Sequence, residues 1–235
     1  LMAENDKNIS VRSQQDWDNM AWNDLVNMTP LEGNSHQFIA LDESKSADIV
    51  THLRLNIYPD GGIARLRVYG DVQIDSSEFT DDYIDMVAAR NGGRAIACND
   101  AHFGAVENLL LPNRAPNMGE GWETRRRREP GSDWCIIALG SAGIAESIEI
   151  DTSHFKGNYP DQVSVQAAYA PTLTDSTLIT QSMFWETLLE PQNTEAHHIH
   201  LFDDLKINKP ITHIRVNIFP DGGISRVRLY GKFSK

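Results

Sequence analysis

The sequence predicts an all-β protein of the antiparallel β-sandwich type, and three observations carry that reading. Short segments alternate apolar and polar residues with period two, the pattern of a strand with one buried and one wet face. Turns rich in glycine and proline separate them. The stretch Thr51–Gly70, THLRLNIYPDGGIARLRVYG, returns as Thr212–Gly231, THIRVNIFPDGGISRVRLYG, with 14 of 20 positions identical at an offset of 161 residues. Solenoid repeats have periods of roughly 20–50 residues, so each copy is expected to belong to a whole domain.

In chain order, the first strand candidate is Gln37–Leu41, followed by the first copy of the block, turning at Pro59-Asp60-Gly61-Gly62. The one helix expected is about Asp82–Arg90, stopped by Asn91-Gly92-Gly93. Further strands are expected at Cys135–Leu139, Ser147–Asp151, Val163–Tyr169, Phe184–Leu189 and His198–Phe202. In the second copy, Ile214, Val216 and Ile218 alternate with His213, Arg215 and Asn217, and Val227 and Leu229 alternate with Arg226, Arg228 and Tyr230. Pro220-Asp221-Gly222-Gly223 between them reads as a bulged hairpin loop: Pro presets φ, Asp suits the next position, and a Gly takes the left-handed conformation. That explanation is complete without catalysis, so both copies of the motif are read as structural.

The repeat extends upstream of the block. His36 and His197 share the 161-residue offset, and Trp22 and Trp185 precede them with two residues of slippage. We therefore divide the chain into residues 1–75, the C-terminal part of a first repeat, and 76–235, a second and complete repeat. The first has no counterpart of the long segment from Tyr83 to about Ala170. Equal halves would place on the order of 90 more residues before it. Half a sandwich exposes its inner faces, so that part is expected in the native protein.

Composition narrows the function classes. The 235 residues are 40% hydrophobic and carry a net charge of −12, which argues against nucleic acid and anionic membranes as partners. No apolar run is long enough to span a bilayer, and the polar start is not a signal peptide. Cys98 and Cys135 lack metal-type spacing and suggest a reduced, cytoplasmic setting. The ending GKFSK is not a peroxisomal Ser-Lys-Leu address, though a peroxisomal location is left open. No phosphate loop, dinucleotide fingerprint or nucleophile elbow occurs, so no cofactor is expected.

The polar motifs cluster in the second repeat: DAHFGAVENLLLP from Asp100, GWETRR from Gly121 and DTSHFKGNYP from Asp151. Together with the doubled PDGGI-R-R-YG block, they make the chain resemble the allantoicase family over nearly its whole length. The resemblance implies two tandem jelly-roll domains of the galactose-binding-like type, the first incomplete here. It also implies hydrolysis of allantoate to ureidoglycolate and urea in purine-derived nitrogen recovery, and it leaves room for a homo-oligomer. The first repeat lacks its own versions of the histidine and GWETRR segments.

Residue chemistry can be matched to that substrate, which carries a carboxylate and two ureido groups on one carbon. C–N cleavage needs a cation for the carboxylate, a base for water or a ureido N–H, and an acid for the departing urea nitrogen. Arg125 and Arg126 are the carboxylate candidates, because a guanidinium binds both oxygens. If the segment is extended, only one of them readily reaches a given site. His102 and His154 are the proton carriers expected, Glu123 and Asp151 the bases, and Asn158 an amide for a ureido group. Metal use is left unknown. His198 and His200 of His197-His198-Ile199-His200 would share a strand face, with His36 as a further candidate ligand, but no carboxylate or Cys follows at ligand spacing. A carbohydrate-binding module is the rival reading, with Trp17, Trp22, Trp122, Trp134 and Trp185 as candidate platforms. A purely structural half is the third.

Overall fold

A computed structural model describes residues 2–4, 17–74 and 84–234. The chain divides into two units, Leu1–Asp71 and Val72–Lys235.

In the first unit, β1 (Met2–Glu4) pairs antiparallel with β2 (Asn23–Asp24) on one side and β3 (His52–Arg54) on the other, with α1 (Glu43–Ser46) between β2 and β3 in sequence. Local contacts tie the repeated block to its tryptophans. The His52 ring lies 5.2 Å from Trp17, and the Arg54 guanidinium lies 5.7 Å from the Trp22 ring and donates to Asn56. The expected strand at Gln37–Leu41 does not form, and the block stops being a strand after Arg54. A strand needs a neighbour to satisfy its N–H and C=O groups, and none lies beside these residues among those described.

The second unit is a jelly-roll β-sandwich of antiparallel strands. In order these are β4 (Ile84–Asp85), β5 (Arg94–Cys98), β6 (Trp122–Glu123), β7 (Asp133–Asp151), β8 (Gln162–Ala168), β9 (Glu186–Asn193), β10 (Ile199–Phe202), β11 (Ile211–Phe219), β12 (Gly223–Ile224) and β13 (Arg226–Phe233). The two strands expected at Cys135–Leu139 and Ser147–Asp151 are one, the 19-residue β7. Its first half pairs with β5 and β11, its second half with β10 and β13. Glu146 bulges out where Tyr230 faces Ser147 and Gly231 faces Ala145. The bulge switches the inward parity, so Cys135, Ile137 and Leu139 before it and Ile148 and Ile150 after it all reach one core. Ile214, Val216, Ile218, Val227 and Leu229 complete that core. Gly140 permits the fold-over, since a Cβ there would lie 1.7 Å from the Asn91 carbonyl oxygen.

Three expectations are corrected here. The second copy of the block is not a hairpin: β11 and β13 each pair with β7, which lies between them. Pro220–Gly223 therefore carries the chain across from one layer to the other. Gly222 (φ +134°) has Asn158 and Pro160 backbone atoms within 2.8 Å of where a Cβ would sit, and Gly223 abuts the Phe155 ring. Second, the wet face of β11 is covered. Arg215 stacks 4.5 Å from the Trp134 ring and donates to Ser182 and Asn217. The segment holding α2 (Asp175–Gln181), capped by the Thr174 side chain, leads into Ser182. Third, the helix expected at Asp82–Arg90 begins outside the described residues, and the rest is β4 and a short 3₁₀ turn, Ala89–Asn91. The Asp85 carboxylate turns the chain by accepting from the Val87 and Leu229 amides. Met86, Val87 and Ala88 are all buried, leaving no polar helix face.

Candidate active site

The loops at the β6–β12 end of the second unit hold the predicted residues in two groups. The first centres on Glu123. Its strand, β6, is held by β12 through the Gly223–Glu123 pair and by a bridge to Gly104. The Asn158 amide donates to Glu123 Oε1 at 2.5 Å and sits 3.4 Å from Met118 Sδ. The Asn158 carbonyl accepts from the Gly223 amide, which fixes the side chain's origin. Phe103 N–H donates to the Glu123 carbonyl. That bond brings up the exposed His102, whose ring meets Phe103 edge-on at 4.4 Å. Arg125 is committed elsewhere. Its backbone N–H donates to Asp100 at 2.6 Å and its guanidinium pairs with the same carboxylate at 3.1 Å. Arg126 is exposed and makes no hydrogen bond or ion pair among the described residues. Arg127 pairs with Asp133 at 2.6 Å, and its amide donates to Asp221 of the second Pro-Asp-Gly-Gly turn.

The second group fastens the segment from Leu109 to Glu120. Asp151 is fully buried; it accepts from Arg114 at 3.0 Å and from the Ser153 amide. Arg114 also takes both oxygens of the buried Glu149. Hydrogen bonding to Glu149, with the charges of both carboxylates, holds the Arg114 guanidinium more firmly protonated than usual. His154 sits at φ +72° and its amide donates to His197 Nδ1 at 2.7 Å. Its ring Nε2 is 2.8 Å from the Ala115 carbonyl, so that nitrogen carries the proton. From β13, Arg226 donates to the carbonyls of Asn113 and Glu120, and Arg228 to that of Leu111 while pairing with Asp85. Arg226 is fully buried with no carboxylate partner among the described residues, and burial lowers its pKa.

The structure thus joins Glu123 directly to Asn158 and brings the His102 loop onto Glu123. It ties Asp151 and His154 to Arg114 and Ala115 and gives neither a bond to Glu123. His200, considered as a metal ligand, has both ring nitrogens engaged: Nδ1 to the Ile150 carbonyl and Nε2 accepting from the Glu195 amide. Burial lowers its pKa, consistent with the neutral ring. His36 belongs to the first unit and is exposed. Among the described residues, no three His, Cys, Asp or Glu side chains gather where they could hold a metal ion. A groove of about 800 Å³ lined by Tyr169, Phe184, Trp185 and Lys209 contains none of the predicted site residues. Sequence reasoning missed Asp100 as the holder of Arg125, and Arg114, Glu149, Arg226 and Arg228 as fasteners. The duplicated arginines, set amid core-facing aliphatics, were the available signal.

Comparison with known proteins places these residues in context. The chain matches the allantoicase repeat over residues 2–73 and 84–234. It is 58% identical over 208 residues to a probable allantoicase of Acinetobacter baylyi, covering 86% of this chain and 62% of that protein. It is 52% identical over 216 residues to probable allantoicase 1 of Burkholderia mallei, covering 91% of this chain and 63% of the relative. The chain therefore spans somewhat less than two thirds of the length of these curated relatives. Among solved structures, one described as the structure of allantoicase aligns over 98% of this chain and 67% of its own, at TM-score 0.73 and 31% identity. The Saccharomyces cerevisiae allantoicase structure aligns over 75% of this chain and 50% of its own, at TM-score 0.63 and 36% identity. With the repeat matched across both units, the chain belongs to the allantoicase family.

Proposed function

We propose that the second unit carries the working groups of an allantoate-cleaving hydrolase that releases ureidoglycolate and urea. The observation that carries this reading is the contact between Glu123 and Asn158, a carboxylate and an amide held side by side by β6, β12 and the Gly223–Asn158 backbone bond. That pair offers both halves of ureido recognition: an acceptor for N–H and a donor for C=O. In the proposed reaction, Glu123 accepts a proton from water or a ureido N–H. His102 supplies one to the departing nitrogen, the C–N bond breaks, and water oxygen ends on the former substrate carbon. Arg126, unpaired among the described residues, is the cation for the substrate carboxylate, while Arg125, paired with Asp100, shapes the loop. Asp151 and His154 act as positioning residues through the segment from Leu109 to Glu120, which leads into Glu123. A small-molecule substrate in the cytoplasm fits this reading.

The carbohydrate-module reading loses its support at the tryptophans. Trp122 is fully buried, Trp134 lies under Arg215, and Trp17, Trp22 and Trp185 are half-buried. The test measures urea and ureidoglycolate from allantoate, using the 235-residue chain and a version extended at its N-terminus to the length of the curated relatives. Glu123→Gln in the active version is expected to lower kcat by about 10²-fold or more. His154→Gln, if it positions only, changes kcat by less and leaves the pH profile unmoved. An unchanged rate in Glu123→Gln, or no turnover by a folded extended protein, defeats the proposal.

A further inference from the structure

On the assignment of Glu123 and Asn158 as the working groups, we propose that His197 is a positioning residue for the reaction. It acts through the amide of His154 on the loop that presents Asn158 to Glu123. Among the described residues, three besides glycine take a positive φ: Asn34, His154 at +72° and His197 at +50°. Backbone in that sparse region persists where the surrounding bonds over-determine it, and such residues cluster at working sites. Here the two histidines hold each other. His154 N–H donates to His197 Nδ1 at 2.7 Å, and His197 N–H donates to the Phe155 carbonyl at 3.0 Å. Their rings meet edge-on at 5.5 Å. His197 is exposed, so its ring is not there to fill the core.

The bonds around this pair show what it fixes. Residues 194–198 hold both ends of the loop formed by residues 152–161. At the near end, the buried Thr152 donates its hydroxyl to the Glu195 carbonyl at 2.6 Å and accepts from the His198 amide at 3.1 Å. At the far end, the Thr194 hydroxyl donates to the Pro160 carbonyl, and the Thr194 amide to the Asp161 carbonyl at 3.0 Å. Between the ends stands Phe155, fully buried, its ring so close to Gly121 and Gly223 that a Cβ on either would lie within 2.9 Å of it. Gly223 is the β12 partner of Glu123, and Gly121 stands two residues before Glu123. The exposed Lys156 and Gly157 are all that separate this anchored ring from Asn158. Asn158 then gives its carbonyl to the Gly223 amide and its side-chain amide to Glu123. The backbone of the ring residue is held by His197, so a shift at His197 passes through Phe155 to both Asn158 and the β6–β12 pair.

The experiment compares two variants that are both at ease with a positive φ. His197→Gly removes the acceptor. His197→Asn keeps one, because its Oδ1 stands as many bonds from Cα as Nδ1 does. Hydrogen exchange on the 235-residue chain is the first arm. His197→Gly should speed exchange of the His154 amide, and of the Gly223 amide bonded to Asn158, by at least about tenfold, with β7 and β11 as protected as before. His197→Asn should return most of that protection. The second arm assays the N-terminally extended protein with allantoate. His197→Gly should lower kcat/KM by about tenfold to a hundredfold, and His197→Asn should recover most of the loss. Three outcomes overturn the proposal: unchanged exchange at Gly223 in His197→Gly, equal effects of the two variants, or protection that falls throughout the second unit, which makes the ring a general stabiliser. A folded wild-type extended protein that leaves allantoate intact removes the reaction itself. That failure is told apart because exchange at Gly223 still responds to His197.

Discussion

Ile63 and Ile224 are the same residue at the same place in the same repeated block, yet Ile63 is 42% exposed and Ile224 is 0% exposed. Arg65 and Arg226 differ in the same way: one is exposed, the other fully buried and bonded to two loop carbonyls. Contacts one or two residues apart survive in both units, as the Arg54–Asn56 and Arg215–Asn217 pairs show. What separates the units is everything long-range. In the second unit β7 joins β11 to β13, and the segment from Leu109 to Glu120 gives the arginines their acceptors. Sequence sets the local pairings, while burial, and with it most of the stability, comes from partners far along the chain.

The comparison can be broken most forcefully by making one substitution twice. Ile224→Ala should destabilise the second unit by about 2–5 kcal/mol, since a fully buried isoleucine loses both its transfer energy and its packing. Ile63→Ala in the first unit should stay within about 0.5 kcal/mol. Urea unfolding of the two variants, followed by a probe on each unit, reads the difference. Equal costs would mean that the first unit buries its copy after all.

The arginine pair sharpens the point at lower amplitude. Arg226→Met leaves the Asn113 and Glu120 carbonyls short of a donor, at about 1–3 kcal/mol for each buried acceptor. The same change removes a buried cation that itself costs desolvation, so a net loss of about 1–3 kcal/mol is expected. Arg65→Met should cost close to nothing. If the N-terminally extended protein runs the proposed reaction, Arg226→Met should also lower its kcat for allantoate more than it raises KM, because the loosened segment leads into Glu123. Arg226→Lys should restore part of the rate. A stable Arg226→Met protein with wild-type kcat would remove the arginine from any positioning role.

These pairs also mark how far the fold was readable in advance. Strand type, sandwich class and the duplicated block follow from period-two alternation, which is local. The hairpin between β11 and β13 was misread for a physical reason. A Pro-Asp-Gly-Gly turn between two strands fits a hairpin and a layer crossing equally well, and only the position of β7 decides. The helix expected at Asp82–Arg90 fails similarly, because three consecutive buried residues, Met86 to Ala88, carry no period of their own. At the site, the motifs singled out Glu123 and Asn158 among others, and these two sit in contact 35 residues apart. They gave no hint that Arg125 is paired with Asp100 or that His154 is spent on the Ala115 carbonyl. Pairings of that kind are set by loop packing and leave no periodic trace.

The smallest effect expected is a pH dependence confined to the second unit. Burial, reinforced by the charge of Arg94 and opposed by that of Asp175, lowers the pKa of His213 below its ordinary value of 6.5. Burial lowers that of His200 as well. In both cases the unfolded chain binds the proton more readily than the folded one. Stability is therefore full above about pH 6.5 and declines as the pH falls below it, by at most about 1.4 kcal/mol per pH unit for each proton taken up. Asp85 acts with the opposite sign: burial raises its pKa above 3.8 against the pull of Arg228, so its protonation favours the folded state as the pH falls. His213→Gln, which keeps a polar group beside Thr212 and Trp185, is expected to reduce the loss between about pH 6.5 and 5.5, with His200 supplying the remainder. His52→Gln, the matching change in the first unit, should leave the slope of the second unit untouched. Thermal midpoints of the three proteins across pH 5.5–7.5 measure this, and an undiminished slope in His213→Gln would locate the proton uptake elsewhere.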